Sequence, residues 1–130
     1  MIEESVPRKR GDILIVDDEP EIVSLLTDFL TDEGYSVRSA GTAVDAWIEI
    51  LRQPPAFLIA DIVMPGGSGL LLVIQLRAQR YTFPVALMTA STPPDTEYLA
   101  RYRTTCFLKP FNLPEILDTV ARHVLPKRNI

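Results

Sequence analysis

Short apolar runs alternate with helical patterns along this chain of 130 residues. A continuous apolar run is typical of a strand buried on both faces, whereas apolar residues spaced three and four apart are typical of a helix with one buried face. A helical pattern follows each of five runs, and the predicted strands span residues 13–16, 35–40, 57–60, 83–88 and 105–108. This alternation predicts one α/β domain with a parallel sheet between two layers of helices.

The apolar positions of the predicted helices indicate which of their faces are buried. The expected stripes are Ile22, Leu25, Leu26, Phe29 and Leu30 in the first helix and Val44, Trp47, Ile48 and Leu51 in the second. The third helix is apolar on more than one side between residues 70 and 76, and we interpret this as burial rather than a contact surface. Capping residues predict helix starts after Thr42 and Asn112, and residues 91–95 begin a fourth helix of about two turns.

Polar residues follow the predicted strands. They are Asp17 and Asp18 after the first strand, Asp61 after the third, Thr89 after the fourth and Lys109 after the fifth. Ligands of parallel sheets bind beyond the carboxyl ends of the strands. If the first and third strands are neighbours, three carboxylates converge there and need a cation to offset their repulsion. Mg²⁺ suits oxygen ligands of this kind, and the hydroxyl and the lysine would bind a phosphate dianion, which favours phosphoryl chemistry over redox or acyl transfer.

Composition narrows the classes of protein that remain. Thirteen Lys and Arg residues against seventeen Asp and Glu residues give a net charge of −4, which argues against direct binding of nucleic acid. One cysteine, Cys106, and one histidine, His123, exclude an internal disulfide and a zinc cluster. The charged start and the lack of a long apolar stretch predict neither a signal peptide nor a membrane span, so we expect a cytoplasmic location. We also expect tails at residues 1–11 and 126–130 around a domain of residues 12–125.

Four short motifs occur in order at the predicted strand ends. They are Asp17-Asp18, the D-x-x-M-P-x-x-x-G run with Asp61, Met64, Pro65 and Gly69, then Thr89-Ala90, and finally Lys109-Pro110-Phe111. Together they resemble the receiver domain of bacterial two-component response regulators, and the resemblance covers residues 12–125. It implies a flavodoxin-like fold, a three-layer doubly wound (βα)5 sandwich with a parallel five-stranded sheet of order 2-1-3-4-5.

The resemblance assigns the chemistry to Asp61. Its carboxylate is the implied phosphoacceptor, which attacks the phosphorus of a phosphohistidine on a sensor histidine kinase or a histidine phosphotransfer protein. The implied ligands of Mg²⁺ are Asp18, Asp61 and the backbone carbonyl of Val63, with Asp17 acting through water. The resemblance therefore predicts a signalling phosphoacceptor rather than an enzyme acting on a separate substrate.

The other motif residues have supporting roles in the family. Thr89 and Lys109 are implied to bind the phosphoryl oxygens, and the peptide bond before Pro110 is implied to be cis. The loop residues expected to serve packing and turn geometry near the site are Met64, Pro65 and Gly69.

The fifth strand departs from the family pattern. Receivers usually carry an aromatic residue or a histidine three positions before the lysine, and this chain has Cys106 there. Phe107 should point to the opposite face of the strand, into the core. The segment between Thr89 and Lys109 is also shorter than in many receivers. These departures predict that phosphorylation is retained while its coupling to output differs from the usual one.

The output and three alternative classes stay open at this point. We expect no effector within these 130 residues and therefore either a downstream protein partner or a missing effector domain, and a homodimer also stays open. A receiver-like interaction module that does not switch is kept as an alternative because of Cys106.

A flavin-binding module is disfavoured because the acids after the first strand would repel a phosphate. A phosphatase of the haloacid-dehalogenase type is disfavoured because Glu19 stands where its D-x-D pattern needs an aspartate.

Overall fold

A parallel sheet of five strands crosses the centre of the computed structural model, which describes residues 9–126. The strands are β1 (Asp12–Val16), β2 (Ser36–Ala40), β3 (Phe57–Asp61), β4 (Val85–Thr89) and β5 (Thr104–Leu108). Their order across the sheet is β2-β1-β3-β4-β5, and all neighbours are parallel. The predicted fold class and strand order are therefore confirmed.

Five helices cover both faces of the sheet, and the first four connect its successive strands. They are α1 (Pro20–Asp32), α2 (Ala43–Arg52), α3 (Gly69–Ala78), α4 (Thr96–Tyr102) and α5 (Leu113–Ala121). The predicted caps are confirmed, since the side chains of Thr42 and Asn112 accept hydrogen bonds from the backbone N–H groups of Asp45 and Glu115. The fourth helix has seven residues, which agrees with the two turns expected.

Alternate residues of the central strands supply two separate cores. Leu14 and Val16 point towards α2, α3 and α4, whereas Ile13 and Ile15 point towards α1 and α5. All four side chains are fully buried because β1 lies inside the sheet with helices on both sides. This explains why the strand appears in the sequence as a continuous apolar run rather than an alternating one.

The buried face of α2 differs from the prediction. Ala46 and Ile50 are fully buried, whereas Val44, Ile48 and Leu51 are 61%, 55% and 67% exposed. The expected stripe of α2 was therefore wrong, apart from the half-buried Trp47. The physical reason is that α2 has two apolar stripes, and the one containing the small Ala46 lets the helix approach the sheet closely.

Two further predictions about helix burial were also wrong in part. Leu72, Val73 and Leu76 of α3 are buried as expected, but Leu71 and Ile74 are 50% and 37% exposed. Leu25 of α1 is exposed as well, at the margin of a stripe whose Leu26 and Leu30 are buried. A helix against a sheet covers only about a third of its circumference, so an all-apolar helix leaves part of its surface in water.

A short parallel pair joins the two ends of the described chain. Lys9–Arg10 pairs with Val124–Leu125 beside the amino ends of the main strands. The buried hydroxyl of Tyr35 donates a hydrogen bond to the carbonyl oxygen of Val124 at 3.1 Å. Of the tails predicted at 1–11 and 126–130, residues 1–8 and 127–130 lie outside the described part of the chain. Within residues 9–126, no helix has the length and apolar character needed to cross a membrane.

Candidate functional site

Two nearly buried carboxylates lie side by side at the carboxyl edge of the sheet. Val16 of β1 pairs with Ala60 of β3, so the residues that follow, Asp17 and Asp61, are level with each other. Asp17 is 2% exposed and Asp61 is 6% exposed. Two carboxylates this close together and this well shielded from water need a positive charge between them.

Lys109 supplies that charge from the end of β5. Its Nζ atom lies 3.1 Å from Oδ2 of Asp17 and 2.9 Å from Oδ2 of Asp61, and it also lies 2.9 Å from Oε1 of Glu19. Only 12% of the lysine side chain is exposed, so the contacts with the two aspartates are shielded from water. One ammonium group therefore holds carboxylates from β1, β3 and the start of α1 together.

The electrostatics of this cluster show what the lysine does. Burial alone would lower the pKa of Lys109, but its hydrogen bonds to Asp61, Glu19 and Asp17 outweigh burial and raise that pKa. Burial raises the pKa of Asp17, and the hydrogen bonds from the Glu19 backbone and from Lys109 offset this only in part. The lysine therefore stays charged at neutral pH, while Asp17 carries an uncompensated cost of burial.

The backbone around Asp61 is fixed from two directions. Oδ1 of Asp61 accepts a hydrogen bond from the N–H of Val63 at 3.1 Å, and the N–H of Gly69 donates to the carbonyl oxygen of Ile62 at 2.8 Å. A Cβ atom at Gly69 would lie 2.4 Å from the carbonyl oxygen of Asp61. Glycine at the start of α3 thus allows the loop to pass directly over the end of β3.

The intervening loop residues occupy different environments. Met64 is buried in the core beneath α2 and α3, whereas Pro65 is exposed. The side chain of Val63 also points into solvent, although its N–H is bonded to Asp61. Val63–Met64 and Gly67–Ser68 form a short antiparallel pair that shapes the loop next to the acids.

Thr89 links the end of β4 to the end of β5. Its side chain is almost fully buried, and its Oγ1 accepts a hydrogen bond from the N–H of Ser91 at 3.0 Å. Its carbonyl oxygen accepts a second bond, from the N–H of Lys109 at 2.8 Å. Because the hydroxyl is an acceptor in the first bond, its hydrogen is available to a ligand at the edge. The Lys109–Pro110 peptide bond is cis, as the resemblance implied.

A group of three acids at this edge has the geometry of a site for a hard cation. Among the described residues, carboxylate oxygens of Asp17, Glu19 and Asp61 lie within 4.8 Å of one another. Carboxylate oxygens are the ligands that a divalent ion such as Mg²⁺ prefers, and in this structure the ammonium of Lys109 contacts the same three acids. Asp18, which the resemblance makes a direct ligand, is exposed and lies outside the group.

Glu19 takes the place expected for Asp18 because the chain bends directly after Asp17. The N–H of Glu19 donates a hydrogen bond to Oδ1 of Asp17 at 2.9 Å, and Asp18 lies at the bend with its side chain exposed. Glu19 also occupies the cap position of α1, from which its longer side chain reaches Lys109. Glu19 was not predicted to be a site residue. The signal that could have identified it is the acid two positions after Asp17.

Cys106 and Phe107 lie on opposite faces of β5, as predicted. Cys106 is half-buried and packs against the core beneath α2 and α3, whereas Phe107 packs against the core beneath α1 and α5. Burial raises the pKa of the Cys106 thiol, so the group is neutral at physiological pH. The place of the usual aromatic residue is therefore taken by a small, uncharged side chain.

Comparison with known proteins gives a consistent result. A family model for the response regulator receiver domain matches residues 13–121. Response regulator Rre1 from a Synechocystis strain is 34% identical over 122 residues, which cover 89% of this chain and 52% of Rre1. Response regulator GtcR from Aneurinibacillus migulanus is 38% identical over 112 residues, which cover 85% of this chain and 45% of GtcR.

Solved structures give the same match at the level of the fold. The chemotaxis response regulator CheY4 of Vibrio cholerae superimposes with a TM-score of 0.77 at 26% identity, over 88% of this chain and 98% of CheY4. The sheet order and the edge cluster thus define a flavodoxin-like α/β domain with an acidic site. Since the family model covers most of its length, the chain belongs to the response regulator receiver domain family. The chain spans about half the length of the curated relatives named above.

Proposed function

We propose that this receiver domain accepts a phosphoryl group on Asp61 and signals through contacts with other proteins. The observation that carries the proposal is Lys109, held by three carboxylates at the end of the sheet and next to the hydroxyl-bearing Thr89. The donor we propose is a phosphohistidine on a sensor histidine kinase or a histidine phosphotransfer protein. The relatives extend well beyond the matched region, which supports output through an effector domain or a separate partner.

The proposed reaction is a transfer between two nucleophiles. An oxygen of Asp61 forms a bond to phosphorus while the bond from phosphorus to the donor's histidine nitrogen breaks. The electron pair of that bond returns to the imidazole, which takes up a proton. The ammonium of Lys109 would then neutralise charge on the phosphoryl oxygens, and the hydroxyl of Thr89 would donate a hydrogen bond to one of them.

A divalent cation would complete the charge balance of this site. Asp17, Glu19 and Asp61 are the residues placed to hold it, and bound Mg²⁺ would supply neutralisation of the phosphoryl oxygens. The roles of Asp18 and of the Val63 carbonyl stay predictions drawn from the family resemblance. Asp18 is exposed, so its side chain is free to turn when an ion binds.

Acetyl phosphate tests the proposal directly. In the presence of Mg²⁺, the intact mass of the full chain should increase by one phosphoryl group, and hydroxylamine should remove it because it is an acyl phosphate. Asp61→Asn should show no increase, whereas Asp28→Asn, an exposed carboxylate on α1, should behave like the wild type. Chelation of the metal should also prevent the modification. An unmodified wild-type chain, or a modified Asp61→Asn chain, would overturn the proposal.

Cys106 favours a second candidate, an interaction module that does not switch. A small half-buried side chain displaces little volume, so a phosphoryl group at the edge would have less to move in β5. Amide hydrogen exchange of β5 and α4, measured with and without acetyl phosphate, separates the two candidates. We expect exchange to change in the wild type and to change more in Cys106→Tyr. Identical exchange with and without the phosphoryl group would favour the second candidate.

A further inference from the structure

The outer face of α2 carries an apolar stripe that the fold leaves in water. Val44, Ile48 and Leu51 follow one another at spacings of four and three residues, which is the spacing of a helix seam that packs against another helix. Leu71 of α3 lines a hollow together with Val44, so it extends this apolar surface, and Ile74 of the same helix is also exposed. A cluster of exposed apolar side chains of this kind on a small domain indicates an interaction surface.

The patch is shaped as well as apolar. Trp47 forms the floor of the groove between α2 and α3, where its Nε1 donates a hydrogen bond to Oε1 of Gln75 at 3.2 Å. A hollow of about 250 Å³ lies on one side of the indole, lined by residues that include Val44 and Leu71. A second hollow, of about 400 Å³, lies on the other side, and Leu51 lines it. Both hollows have the size of large apolar side chains or more.

The charges at the two ends of the stripe indicate what covers it. The exposed charged residues of α2 are Asp45, three positions before Ile48, and Arg52, four positions after it. Arg52 bonds Glu49 on its own helix through Nη2 at 2.7 Å, yet its side chain is 63% exposed and most of its donors remain available. The stripe therefore has a negative end and a positive end.

A surface with ends of opposite sign is complementary to an inverted copy of itself. A two-fold axis at Ile48 places Val44 of each copy near Leu51 of the other, since these residues lie four and three positions from the axis. The same axis places Asp45 of each copy near Arg52 of the other. A parallel arrangement would instead set like charges together and is disfavoured.

We propose that the outer face of α2 and α3 binds a second copy of this chain, with the two α2 helices antiparallel across a two-fold axis at Ile48. Nothing in this surface belongs to the phosphoryl site, so the contact forms without a phosphoryl donor. The apolar stripes supply the buried centre, and the two pairs of Asp45 and Arg52 fix the direction of the helices.

Sedimentation equilibrium of the full chain, without a phosphoryl donor, tests the contact. Between about 10 µM and about 500 µM, the mean mass should rise from 14.6 kDa towards twice that value by mass action. Ile48→Asp should weaken the association by at least about tenfold, because it places a carboxylate at the centre of the interface. Leu25→Asp is the matched control, since Leu25 is 46% exposed on α1, and it should associate like the wild type. A monomer over the whole range, or equal effects of both variants, would overturn the proposal.

A charge exchange tests the direction of the helices. Asp45→Arg and Arg52→Asp should each weaken the association, because each places like charges across the axis. The double variant Asp45→Arg/Arg52→Asp should restore association to within about threefold of the wild type, because opposite charges meet again. If the changes acted only through the stability of α2, the double variant would be the weakest of the three, and this result would overturn the antiparallel arrangement. Circular dichroism of each variant at low concentration controls for folding.

Discussion

Charges are buried at the carboxyl edge of the sheet, and large apolar side chains are exposed on the outer face of α2. At the edge, Asp17 and Asp61 lie almost out of contact with water, whereas on the helix Ile48 and Leu51 lie mostly in water. Both regions reverse the usual distribution of polar and apolar residues, in opposite directions. Neither arrangement is required for the stability of the isolated domain, so each indicates a functional requirement.

The two regions also differ in what offsets their unfavourable free energy. At the edge, Lys109 offsets the repulsion within the domain, so the fold depends on that contact. On α2, exposure of the apolar side chains does little to the free energy of unfolding of the single chain. Its consequence is a tendency of this face to associate with another surface. Substitutions at the edge should therefore change stability, and substitutions on the outer face of α2 should not.

The largest expected effect is the loss of stability when a residue on the buried face of α2 is truncated, compared with one on its exposed face. Ile50→Ala should lower the free energy of unfolding by about 2–5 kcal/mol, because Ile50 is fully buried and its loss leaves a cavity. Ile48→Ala should lower it by less than about 0.5 kcal/mol, since Ile48 is exposed. Urea unfolding of both variants at low micromolar concentration measures the difference. Equal losses would mean that the two faces have been assigned the wrong way round.

A smaller effect is expected when the charge at the edge is removed. Lys109→Met should lower the free energy of unfolding at pH 7 by about 1–3 kcal/mol, because Asp17 and Asp61 then face each other without a cation. Millimolar Mg²⁺ should raise the melting temperature of this variant more than that of the wild type. Arg122→Met, which removes an exposed cation, is the control and should show no added response to the ion. An identical response of the wild type and Lys109→Met would argue against a cation site among these acids.

The smallest effect concerns the cost of burying Asp17. Burial raises the pKa of this carboxyl above its usual value of 3.8, so the folded chain holds the proton more tightly than the unfolded chain. The group therefore lowers stability as the pH rises through and above that value. Asp17→Asn removes this dependence, so its stability relative to the wild type should increase from pH 4 to pH 7, by about 1 kcal/mol or less in metal-free buffer. A relative decrease over the same range, measured by urea unfolding, would contradict this account.

The edge site could be predicted from the sequence because topology alone brings its parts together. Parallel strands end at the same edge, so the residues after β1, β3, β4 and β5 lie along that edge whatever the packing of the helices. The adjacency of Asp17 and Asp61 follows from the pairing of β1 with β3, and the placement of Lys109 at the same edge needs only the topology. The choice between Asp18 and Glu19 needed knowledge of side-chain conformations, because the direction and length of a side chain decide which acid reaches the lysine.

The exposed face of α2 could not be predicted, because the helical period shows which residues share a face but not which face packs against the sheet. Residues 43–51 contain two overlapping apolar stripes, and Trp47 lies close to both. The sequence shows that each stripe is apolar, but only the distance between helix and sheet decides which one is buried. Here Ala46 sets that distance, and a small residue contributes almost nothing to a pattern of large apolar side chains.

The pairing of Lys9–Arg10 with Val124–Leu125 makes the chain a candidate for circular permutation. Since the two segments are adjacent and parallel, residues 9 and 126 could be joined by a linker of about four residues, which spans one strand spacing and a short offset. New ends opened at the exposed Thr82, before β4, would lie at the amino edge of the sheet. Such a rearranged gene would encode the same acidic pocket in a different linear order.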